Sequence, residues 1–150
     1  MQTFLPYPNF KRTAHVLDRQ RLGKQRIEAR QILQTLRGDT SGWKHHPAVK
    51  MWKSYERALC YYGIAICNEW IARGYEDHQR ALFCQWCYDY RDQLQGPWWL
   101  EDPRLHASHR AALLFKAPEH YGTLGWTEKP VIAYWWPCWD KHMAVDAVEE

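Results

Sequence analysis

The sequence predicts an all-α protein: a compact single-domain helical fold with a long central helix and an irregular, aromatic-rich C-terminal segment. Three observations carry that expectation. Apolar residues recur at three- and four-residue intervals between good helix caps. No stretch alternates apolar and polar residues as a half-buried strand would. The 150 residues are enough for one domain with a modest core, so residues 1–150 read as a single unit, with 139–150 as a loose tail.

The elements follow in order. Residues 1–10 cannot be helical through Pro6 and Pro8, and their apolar side chains suggest a segment laid against the core. From Asp18, a good N-cap, to Gly38, a good stop, Leu22, Ala29, Ile32, Leu33 and Leu36 keep helical spacing, which predicts the first helix. Residues 38–46 read as a loop. Pro47 suits the first turn of a second helix running to Arg73, with Trp52, Tyr55, Leu59, Tyr62, Ile66 and Trp70 as its apolar stripe. At 1.5 Å per residue that helix would span roughly 40 Å, with Gly63 as a point of bending. A third helix is expected over residues 77–94, ended by Gly96-Pro97, and a fourth over Pro103 to Lys116, capped by Asp102. Beyond Pro118 the chain is rich in Gly, Pro and Trp without a helical period, which predicts irregular packing across the helices.

Charge is distributed unevenly. Residues 1–57 hold twelve Lys/Arg against four Asp/Glu, whereas the whole chain carries only +3. The basic third therefore makes its own field, and a polyanion is the partner such a field attracts. Ten Trp and nine Tyr fill a small core efficiently and leave some rings to stack on bases. No apolar run is long enough to cross a membrane and the first residues lack signal-peptide order, so the protein is expected in the cytoplasm, associated with the nucleoid.

The most informative run is Leu17 to Glu28, which sets Glu28 behind Arg19, Arg21, Lys24 and Arg26, with Arg30 beyond. A carboxylate so placed is either an ion-pair partner on a helix surface or an acid/base group on a face that meets nucleic acid. Cys84 and Cys87 have the spacing of half a zinc site, but no matching second pair exists, and core cysteines are the better reading. His106, His109 and Arg110 share one side of a helix. There is no Gly-rich phosphate loop, so no nucleotide cofactor is implied, and no metal.

These residues carry a family resemblance. Asp18-Arg19-Gln20-Arg21-Leu22 followed by Glu28 resembles the Asp-Gln-His-Leu run and following Arg-Glu of the pyrimidine-dimer DNA glycosylases of the endonuclease V type. Gly42-Trp43-Lys44-His45-His46-Pro47 resembles a Gly-Trp-x-Asn-His-Pro run in that family's uncharacterised bacterial relatives, and Arg73-Gly74-Tyr75 and His106-Ala-Ser-His109-Arg110 leading to His120-Tyr121-Gly122 are similar to later family segments. The likeness covers residues 1 to about 137. It implies an all-helical fold and base excision from damaged duplex DNA, with the N-terminal amine attacking the sugar C1′ and a helix Glu assisting. On this chain those roles fall to Met1 and Glu28, an α-amine being suited because its ordinary pKa is near neutrality. Arg21, Lys24, Arg26 and Arg30 would hold phosphates, with His46, His109 and Arg110 bordering the site. The expected partner is double-stranded DNA with a damaged or modified base, bound by a monomer. The rival readings are a non-catalytic DNA- or RNA-binding module and a modified-base enzyme whose substrate is not a photodimer.

Overall fold

The computed structural model of the chain describes residues 1–139, and among these there are seven α-helices and one short 3-10 turn, with no strand. Most of the expected tail, residues 140–150, lies outside the described residues. None of the described helices is long and apolar enough to cross a membrane.

Helix α1, Phe10–Val16, starts where Asn9 Oδ1 accepts the Arg12 N–H at 2.8 Å. At seven residues it is too short to show a period, and the sequence reading passed over it. Helix α2, Arg19–Leu36, matches expectation: the Asp18 side chain caps it through Arg21 N–H, and Gly38, at φ 86°, takes the left-handed turn that follows its end. Its apolar stripe, Leu22, Ala29, Ile32 and Leu33, is fully buried.

The long central helix is not continuous. It is divided into α3, Pro47–Lys50, and α4, Glu56–Ala72, by a turn in which Ser54 sits at φ 73°. The break is held from within, because Glu56 Oε1 accepts Ser54 N–H at 3.2 Å while Met51 and Trp52 stay buried. At 17 residues α4 is about 25 Å long rather than 40 Å. It nevertheless takes the central position, packing against α1, α2 and α5. Helix α5, Arg80–Asp89, lies within the expected third helix but is shorter, and its Phe83 ring seats directly on Gly63 of α4, where a Cβ would come within 2.7 Å of it. Gly63 is therefore a packing site for an aromatic ring.

Helix α6, Pro103–Lys116, has the expected bounds and the expected Asp102 cap, and a short α7, Pro118–Tyr121, follows it. After α7 the chain runs irregularly to the 3-10 turn Pro137–Trp139, as predicted. The core is largely aromatic: Trp52, Trp99, Tyr62, Tyr121 and Phe83 are fully buried, with Trp52 and Trp99 edge to face at 4.8 Å. The five cysteines are free, with Cys60, Cys67 and Cys138 buried and Cys84 exposed.

The feature that matters most for the site is the first segment. Residues 2–6 are buried although they belong to no helix. Backbone in such a position needs hydrogen-bond partners from elsewhere. Here side chains of α2, α4 and α6 provide them.

Candidate active site

Buried peptide groups of residues 2, 4, 5 and 6 are met by side chains from the helices around them. Gln25 of α2 is the hub: its Nε2 donates to the Gln2 carbonyl and to Glu28 Oε2, both at 3.0 Å, and its Oε1 accepts Phe4 N–H at 3.0 Å. The Tyr62 hydroxyl of α4 lies 2.7 Å from that same Oε1 and 2.8 Å from the Phe4 carbonyl. Burial, and next the charge of Glu28, hold the Tyr62 hydroxyl well above its ordinary pKa, so it stays a proton donor. Trp52 Nε1 donates to Thr3 Oγ1 at 3.0 Å. From α6, His109 Nδ1 accepts Leu5 N–H at 2.8 Å, His106 Nδ1 faces the Leu5 carbonyl at 2.7 Å, and Arg110 Nη1 donates to the Pro6 carbonyl at 2.8 Å.

This clamp brings the start of the chain to Glu28. Gln2 N–H donates to Glu28 Oε2 at 3.3 Å. Around that contact opens a pocket of about 310 Å³ lined by Met1, Gln2, Phe4, Gln20, Arg21, Lys24, Gln25, Glu28, Lys116, Ile132 and Tyr134. The volume suits a small ligand, and three cations stand on its wall around the half-buried Glu28 carboxylate. An anionic strand drawn to those cations would bring a sugar to the carboxylate and to the first residues together.

The residues expected at the site fall into three groups. Met1, Arg21, Lys24 and Glu28 line the pocket together. His46 is not among the lining residues; burial, and next the positive N-terminus, lower its pKa. Its Nδ1 caps α3 by accepting Ala48 N–H at 3.0 Å.

His109 and Arg110 support the site from behind. His109 is fully buried, edge-on to Phe4 and Tyr134, and Arg110 is further fixed by Glu128 at 2.6 Å. Arg26 and Arg30 point to the α4–α5 side. Arg26 pairs with Asp77 at 2.7 Å over the face of Trp70, and Arg30 Nη1 donates to Gln79 at 2.7 Å. Burial would raise the Asp77 pKa, but the bonds from Arg26 and from backbone N–H groups outweigh it and lower it.

Sequence reasoning missed Gln2, Phe4, Gln20, Gln25, Lys116, Ile132 and Tyr134. Gln25 and Gln20 look like ordinary polar positions on a helix, and Lys116 and Tyr134 reach the pocket only through folding over a hundred residues. Only the one-turn spacing of Gln25 and Glu28 was a usable signal.

The sequence profile of the pyrimidine dimer DNA glycosylases matches residues 1–82, more than half of the chain. The chain belongs to that family. No curated protein and no solved structure gave a significant match. Membership makes the chain a DNA glycosylase by class, with DNA as its partner. The matched region holds Met1, Gln2, Phe4, Gln20, Arg21, Lys24, Gln25 and Glu28, while Lys116, Ile132 and Tyr134 come from beyond it to close the pocket of this glycosylase.

Burial of His109 has a measurable consequence for the glycosylase. Burial, and next the charge of His106, lower its pKa from 6.5 to about 3. The unfolded chain therefore binds a proton near pH 6.5 that the folded chain refuses until about pH 3, so stability is full above 6.5 and declines as pH falls between those values. Urea unfolding at pH 7.5 and pH 4.5 should show a loss on the order of 2 kcal/mol. In His109→Asn, whose amide oxygen can still accept Leu5 N–H, most of that loss should vanish. The Asp18 and Asp77 carboxyls are held below their ordinary value, while His46, also lowered, adds a loss of the same sign that His109→Asn leaves in place.

Proposed function

We propose that the protein is a monomeric, cytoplasmic and nucleoid-associated DNA glycosylase that excises damaged or modified pyrimidines from duplex DNA and cleaves the resulting abasic site. The observation that carries this reading is the contact of Glu28 Oε2 with the Gln2 N–H inside the pocket that Met1 shares. A carboxylate beside the first residues is what a proton acceptor for an attacking terminal amine requires.

In this reading the Met1 amine attacks the sugar C1′ as the bond to the base breaks, and Glu28 takes the amine's proton. Ring opening, in which Glu28 returns that proton to the sugar ring oxygen, gives an imine, and the restored carboxylate then removes a proton from C2′ to allow β-elimination of the 3′ phosphate. Arg21 and Lys24, joined by Lys116, hold the flanking phosphates. Arg26 and Arg30 add the positive field of the same helix, with Asp77 and Gln79 fixing their side chains. His46 borders the amine. His109 and Arg110 hold the first segment at Leu5 and Pro6.

The test is incubation with duplexes carrying a cyclobutane pyrimidine dimer, another modified pyrimidine or no lesion, scored for glycosidic-bond cleavage, which frees the base from its sugar, and for strand cleavage. Release from a lesion duplex alone is the expected result. Tight binding without product on any duplex would favour a non-catalytic binding module instead.

The cations on the pocket wall make a separate prediction. Log affinity for duplex should fall steeply with log salt, and the triple variant Arg21→Ala, Lys24→Ala, Lys116→Ala should flatten that slope by about two to three units, roughly one per lost phosphate contact. An unchanged slope would place the phosphate path elsewhere on the protein.

A further inference from the structure

Three glutamines line the pocket, and the two buried ones, Gln2 and Gln25, differ in one respect. Gln25 is saturated: both protons of its amide and its oxygen have partners within the fold. Gln2 is only 5% exposed, and its Nε2 is buried without any acceptor. Its orientation is fixed, because Oε1 accepts Thr3 N–H at 2.9 Å, and a turned amide would set two donors against each other. Leaving a buried donor unpaired is costly, so native proteins seldom keep one without a use. The adjacent Gln2 main-chain N–H already serves Glu28.

We infer that Nε2 of Gln2, closed off in the pocket wall, is uncovered as the nucleotide enters and donates to a carbonyl oxygen of the pyrimidine base as that base departs. The inference rests on the glycosylase reading. When the C1′–N1 bond breaks, both electrons leave with the base, while the nucleophile bonds to C1′ and gives up its proton. The charge on the base spreads from N1 onto the carbonyl oxygen of C2 until the base takes up a proton. A donor waiting at that oxygen strengthens its bond as the charge develops, which lowers the barrier without tightening ground-state binding equally. Gln2 would then select for bases that present a carbonyl acceptor beside the glycosidic nitrogen. The ring oxygen of the sugar is an acceptor of similar kind, and the experiment separates the two.

The experiment compares wild type with Gln2→Met, which keeps the length of the side chain and lacks the donor. Single-turnover cleavage of the N1–C1′ bond in a dimer-containing duplex, where the freed base stays tethered to its neighbour through the cyclobutane ring, should slow by about a hundredfold to a thousandfold, the loss typical of one such donor. Affinity for a duplex carrying a tetrahydrofuran abasic analogue should stay within about threefold of wild type, because that duplex offers the donor no base and the lost Oε1 bond to Thr3 N–H bears equally on both duplexes. Release at the wild-type rate would overturn the inference and leave the glycosylase standing. Parallel loss of release and of abasic affinity would also overturn it, in favour of the sugar oxygen. A wild type that releases no base from any duplex would remove the glycosylase reading and this inference with it. Should Gln2→Met fail to fold, the wild-type protein answers through the side-chain amide resonance of Gln2, which should shift with the dimer duplex and not with the abasic one. An amide resonance unmoved by both, or moved equally by both, would contradict the inference.

Discussion

The Glu28→Gln protein should bind lesion-containing duplex nearly as well as wild type and form product about a hundred to ten thousand times more slowly. The substitution keeps size and the ability to accept the Gln2 N–H, so the clamp on the first segment should survive. It removes the negative charge and the capacity to take a proton from an amine. Affinity and single-turnover release, measured on the same duplex, separate the two effects. Equal rates for the two proteins would reduce Glu28 to a helix-surface acceptor that merely orders Gln2 and Gln25. A loss of affinity matching the loss of rate would mean that the carboxylate organises the pocket rather than acting in it.

Gln25→Leu should be the most damaging single substitution for the fold and the chemistry together. The amide satisfies Phe4 N–H and the Gln2 carbonyl in a buried setting, and leucine would leave both without partners. At about 1–3 kcal/mol for each unpaired buried group, a loss of roughly 2–5 kcal/mol is expected, on the order of 10 °C in melting temperature. Gln25→Glu distinguishes structure from positioning. It retains an acceptor for Phe4 N–H while setting a second carboxylate against Glu28, where one of the two carboxyls must keep its proton to a higher pH. That variant should melt closer to wild type than Gln25→Leu, yet release base more slowly at neutral pH, with its pH profile displaced upward. A Gln25→Glu protein with the wild-type profile would show that Gln25 secures the backbone and has no influence on Glu28.

How far the sequence disclosed this arrangement depended on how local each signal was. The Asp18 cap, the Gly38 stop and the stripe from Leu22 to Leu33 all lie within one helix, and α2 was read with nearly its true bounds. The same holds for α6 between Asp102 and Lys116. The break between α3 and α4 was hidden because Trp52, Tyr55 and Leu59 keep helical spacing across it. Ser54 takes the left-handed conformation that glycine or asparagine would have advertised.

Glu28 was legible as a carboxylate among cations. Its neighbours were not, since Lys116 and Tyr134 reach it only through the packing of α6 and the segment after α7. His109 carried the opposite difficulty. Beside Arg110 it read as a group on the border of the site, whereas its Nδ1 is committed to the Leu5 N–H and its ring is enclosed by Phe4 and Tyr134. Arg26, one turn from Arg30 on a basic helix, gave no local sign that a buried Asp77 would engage it.

The central claim, that the first residue and Glu28 form one catalytic unit, is tested most directly by borohydride reduction during turnover on a dimer-containing duplex, followed by mass spectrometry of the cross-linked peptide. The expected product is a covalent protein–DNA adduct carried on the Met1 amine, absent when that amine is acetylated or preceded by one further residue. Even one residue displaces the attacking nitrogen by about 3.5 Å. An adduct mapped to a lysine such as Lys24, or base release that proceeds with no adduct from any form of the protein, would contradict it.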